Sequence, residues 1–232
     1  MLNKAKGRMF KSVGWTWNPL AGCTHECKYC WAKSLNDRWN KSFEPQIREH
    51  FFKDKMPEDG SWIFVGSMGD TFCYGMKGEW IQQLLDFIEN YKGNNKFLLQ
   101  TKNPLRFKDF SRLEAIKDKI IVGTTLETTG KTPWSKAPPT HERAYALHVM
   151  KSKGFSTFLS LEPLADFNLE MMQRAILGIQ PKAVEIGLEN YTNHIKKPDE
   201  GKIVALLDFM RKNEIEYVLK ENLSYLEDET NE

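Results

Sequence analysis

The sequence predicts an α/β protein built on parallel strands, and three observations carry that prediction. Short apolar runs recur at WIFVGS (62–67), KFLLQT (96–101), KIIVGTT (119–125), FSTFLSLE (155–162), KAVEIGLE (182–189) and EYVLKE (216–221). Each is brief and rich in Val, Ile, Leu or Phe, as strands buried on both faces of a parallel sheet are. Segments with helical spacing separate them, and the connections are short and polar. Repeated alternation of this kind calls for right-handed crossovers.

Taken in order, SVGWTW (12–17) supplies a first strand and the cysteine-bearing stretch GCTHECKYCWA (22–32) leads into a helix over AKSLNDRW (32–39). WIQQLLDFIENY (80–91) places Ile81, Leu84, Leu85 and Ile88 on one helical face. ERAYALHVMKSKG (142–154) closes on basic residues and a glycine, a helix C-terminus. LEMMQRAILG (169–178) and KIVALLDFMRKN (202–213) complete the alternation. Periodicity leaves open whether the strands close into a partial or complete barrel or lie in an open sheet.

The chain is expected to form a single domain over 1–232, with a basic arm (1–11) and an acidic tail (226–232) at its periphery. A hydrophobic share of 41% against 28% charged excludes a disordered chain. A net charge of +2 supplies no general drive toward nucleic acid, and the charged ends read as solvated. No apolar run approaches the roughly 18 residues of a membrane span. No secretory signal is visible, and the cysteines are clustered rather than spread as a disulfide framework, so a cytoplasmic location is expected.

In parallel α/β sheets the C-terminal strand ends carry the chemistry. Here those ends hold Ser67 and Asp70, Gln100 and Thr101, Thr125 and Glu127, Ser160 and Glu162, Glu189 and Asn190, Lys220 and Glu221. Any one pair is explained by a strand leaving toward water. Their recurrence points to a shared polar pocket.

Cys23, Cys27 and Cys30 fall within eight residues, with spacing Cys-x3-Cys-x2-Cys. Three readings compete. A structural zinc site wants four ligands, and the fourth would have to be His25, His50 or the distant Cys73. A redox disulfide between Cys27 and Cys30 leaves Cys23 idle and lacks a thioredoxin-like context. A [4Fe–4S] cluster takes one thiolate per iron, so three cysteines leave one iron open to a substrate or cofactor.

With Tyr29 before the last cysteine and the motif placed after a first strand, Cys23-x3-Cys27-x2-Cys30 resembles the signature of the radical S-adenosylmethionine (SAM) enzymes. The resemblance implies a partial (β/α)6-type TIM barrel of parallel strands, with the cluster loop after its first strand. It implies a [4Fe–4S] cluster on Cys23, Cys27 and Cys30, whose open iron chelates the amino and carboxylate groups of S-adenosyl-L-methionine. An electron from the reduced cluster then cleaves the sulfonium, and the 5′-deoxyadenosyl radical takes hydrogen from a substrate. Tyr29 would lie near the adenine, and an external flavodoxin- or ferredoxin-like donor would supply the electron. WNPLAGC (17–23), FVGSMGDTF (64–72), LLQTKNP (98–104), VGTTLE (122–127), LSLEPL (159–164) and IGLEN (186–190) are similar to a compact set of phage and prokaryotic members without an assigned reaction.

One departure stands out. Many members carry Gly-Gly-Glu after the second strand to hold the methionine amino group, whereas this chain has Gly66-Ser67-Met68-Gly69-Asp70. Gly66 would let backbone approach the ligand, and Ser67 or Asp70 would receive the ammonium. Thr101 joins the expected cofactor contacts, Thr125 and Glu127 are placed to meet ribose hydroxyls, and Glu162, Lys220 or Glu221 would face cofactor or substrate. Lys102 and Arg106 would offer charge to the cofactor carboxylate. Cys73 is either a buried thiol or a participant in catalysis. The loop TTGKTPWSKAPPTHER (128–143), with Trp134, His141, Lys131, Lys136 and Arg143, would suit an anionic or stacked substrate. The expected substrate is a nucleobase, nucleotide or nucleic acid, with a peptide or small metabolite as the alternative. A non-catalytic binding module stabilised by zinc or an Fe–S cluster is the rival outside enzymology.

Overall fold

The computed structural model describes residues 2–190 and 194–228. Its frame is an eight-stranded sheet of β1 (Leu2–Lys4), β2 (Val13–Trp17), β5 (Trp62–Val65), β6 (Lys96–Gln100), β7 (Ile120–Thr125), β8 (Ser156–Leu161), β9 (Val184–Ile186) and β10 (Tyr217–Leu219), in that order. From β2 to β10 every pairing is parallel, and β1 adds an antiparallel edge against β2. The parallel strands curl into a half-barrel, as the resemblance implied. A two-stranded ladder of β3 (Leu20–Ala21) and β4 (Gln46–Ile47) sits beside the cysteine loop.

Crossovers are supplied by α1 (Trp31–Arg38), α2 (Gly78–Asn90), α3 (Arg112–Ala115), α4 (Thr140–Ser152), α5 (Leu169–Ile179) and α6 (Glu200–Lys212), with α7 (Tyr225–Asp228) last. α2 buries the apolar face read from the sequence: Ile81, Leu84, Leu85 and Ile88. Asn168 caps α5 by accepting from the Met171 backbone N–H. Among the described residues no helix is long and apolar enough to cross a membrane.

Strand alternation separates two cores. Ile63, Val65, Phe97, Leu99, Ile120, Val122, Leu159 and Leu161 point outward and pack with the helices. Leu98, Ile121 and Phe158 point to the concave side, where Phe64, Met9 and Phe10 join them. One residue further along the same faces, apolar side chains give way to Gln100, Thr125 and Ser160. The concave face is thus a closed floor with a polar mouth.

The arm over 1–11 is not peripheral. Leu2–Lys4 is a sheet strand, and Phe10 stacks its ring 5.4 Å from Phe64 and 5.1 Å from Phe158 inside the half-barrel. A basic composition hid one aromatic plug. The tail begins in the core as well, since Leu226 is fully buried; residues 229–232 of the expected acidic tail lie outside the described residues.

Candidate active site

Cys23, Cys27 and Cys30 line one cavity of about 390 Å³ at the C-terminal mouth of the half-barrel, together with Tyr29, Ser67, Asp70, Lys102, Thr125 and Glu162. The loop that carries the cysteines is anchored where Gly22 bridges Gly69. A Cβ on Gly69 would fall 2.3 Å from the Gly22 carbonyl oxygen, so this crossing demands glycine. Cys30 is the N-cap of α1, and its Sγ accepts from the Lys33 backbone N–H at 3.4 Å. Burial pushes the Cys30 thiol up, and that N–H works against it. The Cys27 Sγ lies 3.1 Å from Ser135 Oγ, and Cys23 Sγ accepts from the His25 backbone N–H at 3.3 Å.

Among the described residues the three thiols do not gather as the donor set of a single ion. A zinc ion bound at about 2.3 Å by tetrahedral thiolates needs sulfurs about 3.8 Å apart. Among the described residues the metal-ligand atoms gathered within 4.8 Å of one another are those of Cys23, His25 and Asp70, and neither Cys27 nor Cys30 belongs to that group. Asp70 is already saturated. Its Oδ1 accepts from Thr101 Oγ1 at 2.6 Å and the Phe72 N–H at 2.9 Å, while its Oδ2 meets His25 Nε2 at 3.1 Å and the Lys102 N–H at 2.8 Å. Burial works against the charged form, but His25 and these donors outweigh it and hold the carboxyl below its ordinary value.

Asp70 therefore braces three loops and has no oxygen left for an ammonium. Thr101 shares that internal role and does not line the cavity. Gly66, with φ +82°, turns the chain under Thr71 and is likewise absent from the wall. Ser67 reaches the cavity while donating to Asn18 Oδ1 at 3.2 Å.

Glu127 requires a second correction. Its side chain is fully buried and does not line the cavity; it joins Arg143 Nη1 at 2.8 Å, the Lys102 ammonium and the Tyr29 hydroxyl. Burial alone would raise this carboxyl, yet Arg143 and Lys102 hold it well below the usual range. Tyr29 responds oppositely: burial first, then the Glu127 charge, pushes its hydroxyl far up, so it stays protonated as a donor. Lys102 sits over the Tyr29 ring, 4.6 Å from its centroid, and still touches the cavity. Arg106 points elsewhere, donating to the Cys73 and Met76 carbonyls.

Cys73 is fully buried and does not line the cavity; it stands behind Cys23, thiol against thiol. The hydrogen bond between them raises the Cys23 thiol and lowers that of Cys73, to about 6. A metal bound at Cys23 would override this, since coordination deprotonates a thiol outright. The 128–143 loop clamps the cysteine loop: the Trp134 carbonyl accepts from Lys28 N–H at 2.9 Å and the His25 carbonyl from Lys136 N–H at 2.7 Å. Arg143, expected to face an anion, is fully buried and donates to Pro138 O, Thr125 O and Glu127.

A family model described as "Protein of unknown function (DUF5131)" matches residues 10–180. The chain belongs to the DUF5131 family. A curated relative, "Uncharacterized protein ORF301" of Acidianus two-tailed virus, is 22% identical over 203 residues, covering 77% of this DUF5131 chain and 65% of the viral protein. Among solved structures, spore photoproduct lyase with bound AdoMet and dinucleoside spore photoproduct superposes with a TM-score of 0.58 at 11% identity, over 91% of this chain and 64% of that one. A radical SAM methyltransferase from Sphaerobacter thermophilus gives 0.59 at 13%, over 91% and 67%. Streptococcus suis SuiB bound to S-adenosylmethionine gives 0.55 at 13%, over 88% and 46%. At these identities the likeness is one of fold: the DUF5131 chain shares the half-barrel of radical SAM enzymes. It spans just under two thirds of the length of the viral relative and of the lyase.

Sequence reasoning missed the pocket-facing arm residues Lys6, Arg8, Met9 and Phe10, and the structural work of Arg143. The apolar Met9–Phe10 pair inside the basic stretch was the available signal for the arm. Nothing in the sequence announced that Arg143 would be buried.

Proposed function

We propose that this DUF5131 protein is a radical SAM enzyme, with a [4Fe–4S] cluster held by Cys23, Cys27 and Cys30. The observation that carries the reading is the convergence of these three thiols on one cavity at the mouth of a parallel half-barrel, a fold shared with enzymes whose structures hold S-adenosylmethionine. When bound, cluster and S-adenosylmethionine supply the electron transfer and the 5′-deoxyadenosyl radical. The protein's own residues orient and exclude water. Ser135 and the backbone N–H groups of His25 and Lys33 steady the sulfurs. Glu127 and Arg143 fix Lys102 and Tyr29 beside them, so that Lys102 offers a positioned ammonium to an anionic cofactor group. Thr125 and Glu162 line the wall across the sheet.

The substrate class is a nucleobase, nucleotide or nucleic acid; the dinucleoside bound by spore photoproduct lyase on the same fold supports that choice. The electron comes from an external flavodoxin- or ferredoxin-like donor, and the site of action is the cytoplasm. The test is anaerobic reconstitution with iron and sulfide, followed by dithionite and S-adenosylmethionine. Formation of 5′-deoxyadenosine by the wild type and its loss in Cys27→Ala supports the reading. Equal turnover in both overturns it.

A further inference from the structure

Across the cavity from the cysteines, two carboxylates share one ammonium. Lys220, with its side chain 7% exposed, lies 3.0 Å from Glu185 Oε2 and 3.6 Å from Glu162 Oε2, and donates to the Arg8 and Met9 carbonyls. Glu185 is fully buried and also accepts from the Ser12 N–H at 2.8 Å. Glu162 is the looser partner and the one that opens to the cavity, 23% exposed. The sheet is cut back for this arrangement: a Cβ on Gly187 would stand 2.7 Å from Lys220 Cγ and 3.3 Å from Glu162 Cδ.

The second observation lies two residues back on the same strand face. Ser160 is 1% exposed and lines this cavity, and its hydroxyl has no hydrogen-bond partner. Its cross-strand neighbour Thr125 is engaged by Gln100 Nε2 at 2.9 Å, which leaves Gln100 Oε1, also buried, without a donor. Buried polar atoms left unpaired cost free energy, and two of them on one cavity wall call for a partner from outside the chain, a water or a ligand. The row Gln100–Ser160–Glu162 offers an amide oxygen, a hydroxyl and a carboxyl, and so calls for a ligand rich in N–H donors. Met9, Phe10 and Phe64 supply the apolar wall beside it.

We infer that Glu162 and Ser160 form the substrate subsite of this cavity and bind the amino-bearing edge of a nitrogen heterocycle, rather than a carboxylate or phosphate. This rests on the radical SAM reading and narrows its substrate class to one presenting an N–H edge to the wall opposite the cysteines. Burial first, and the Glu185 charge after it, raises the Glu162 carboxyl against the pull of Lys220. A protonated carboxyl meets an aminopyrimidine edge at two points, accepting from the amino group and donating to the ring nitrogen, whereas a carboxylate accepts from the amino group alone.

The test is titration of the full chain, cluster-loaded and saturated with S-adenosylmethionine, with 2-aminopyrimidine, pyrimidine and benzoate, read by saturation-transfer NMR. The expected order places 2-aminopyrimidine first, with Glu162→Met weakening it about 10- to 100-fold. Ser160→Ala, which removes a hydroxyl without a protein partner, should weaken it several-fold without unfolding risk. Preference for benzoate, or unchanged affinity for 2-aminopyrimidine in both variants, overturns the subsite. Failure of the parent reading looks different: no cluster assembles, while 2-aminopyrimidine still binds the metal-free chain in a Glu162-dependent way, which leaves the subsite standing.

Discussion

Arg143 Nη1 stands 2.8 Å from Glu127 Oε2, and neither side chain is exposed. The same carboxylate accepts the hydroxyl of Tyr29, the residue before Cys30, so one buried ion pair ties α4 and the end of β7 to the cysteine loop. Removing Arg143 leaves this buried carboxylate with Lys102 as its one remaining cation, and losing a partner of a buried pair costs up to about 3–5 kcal/mol. Arg143→Met is expected to lose stability of that order in urea unfolding. A loss under about 1 kcal/mol, the worth of a surface pair, would show that the pair does not organise the site.

The pH dependence follows from the same residue. Because the folded state holds Glu127 well below the ordinary glutamate value of 4.5, its contribution is fully present above that value and fades as pH falls toward the folded one. The stability gap between wild type and Glu127→Gln should be widest above about pH 5 and narrow steadily below the ordinary carboxylate range. A gap that widens on acidification would reverse the sign argued here.

Cys27 and Cys73 differ in their access to the cavity. Cys27 lines the cavity, while Cys73 is sealed behind Cys23. Reconstituted wild type and Cys73→Ala are expected to carry about four irons per chain. Cys27→Ala should hold well under half of that. Iron loss in Cys73→Ala equal to that in Cys27→Ala would make Cys73 a ligand.

Phe10 tests the arm. Its ring packs on Phe64 and Phe158 and lies 4.8 Å from the Lys220 ammonium, so Phe10→Ala should cost about 2–3 kcal/mol in urea unfolding. A change below about 0.5 kcal/mol, usual for exposed positions, would return the arm to the periphery.

What the sequence disclosed and what it hid divide along physical lines. The seven parallel strands and their helices were legible because both-face burial leaves unbroken apolar runs and one-face burial leaves a 3.6-residue period. The three cysteines were legible as a spacing. The polar strand ends were legible as a class, but not by role: alternation alone does not say that Asp70 and Glu127 would be consumed by internal donors while Ser160 and Glu162 would face the cavity. That outcome depends on side chains far away in sequence. His25, Lys102 and Arg143 decide it, and Arg143 reads in the sequence as one more loop cation. The arm was hidden for a related reason, since its basic residues set the composition and a single aromatic sets the packing.

If the three thiols hold a cluster with one iron open to S-adenosylmethionine, electron paramagnetic resonance will register it. The anaerobically reconstituted, dithionite-reduced protein is expected to give a [4Fe–4S]⁺ signal whose g-values shift on adding S-adenosylmethionine. A signal indifferent to S-adenosylmethionine, or a protein that takes up zinc and no iron, would rule out the open iron.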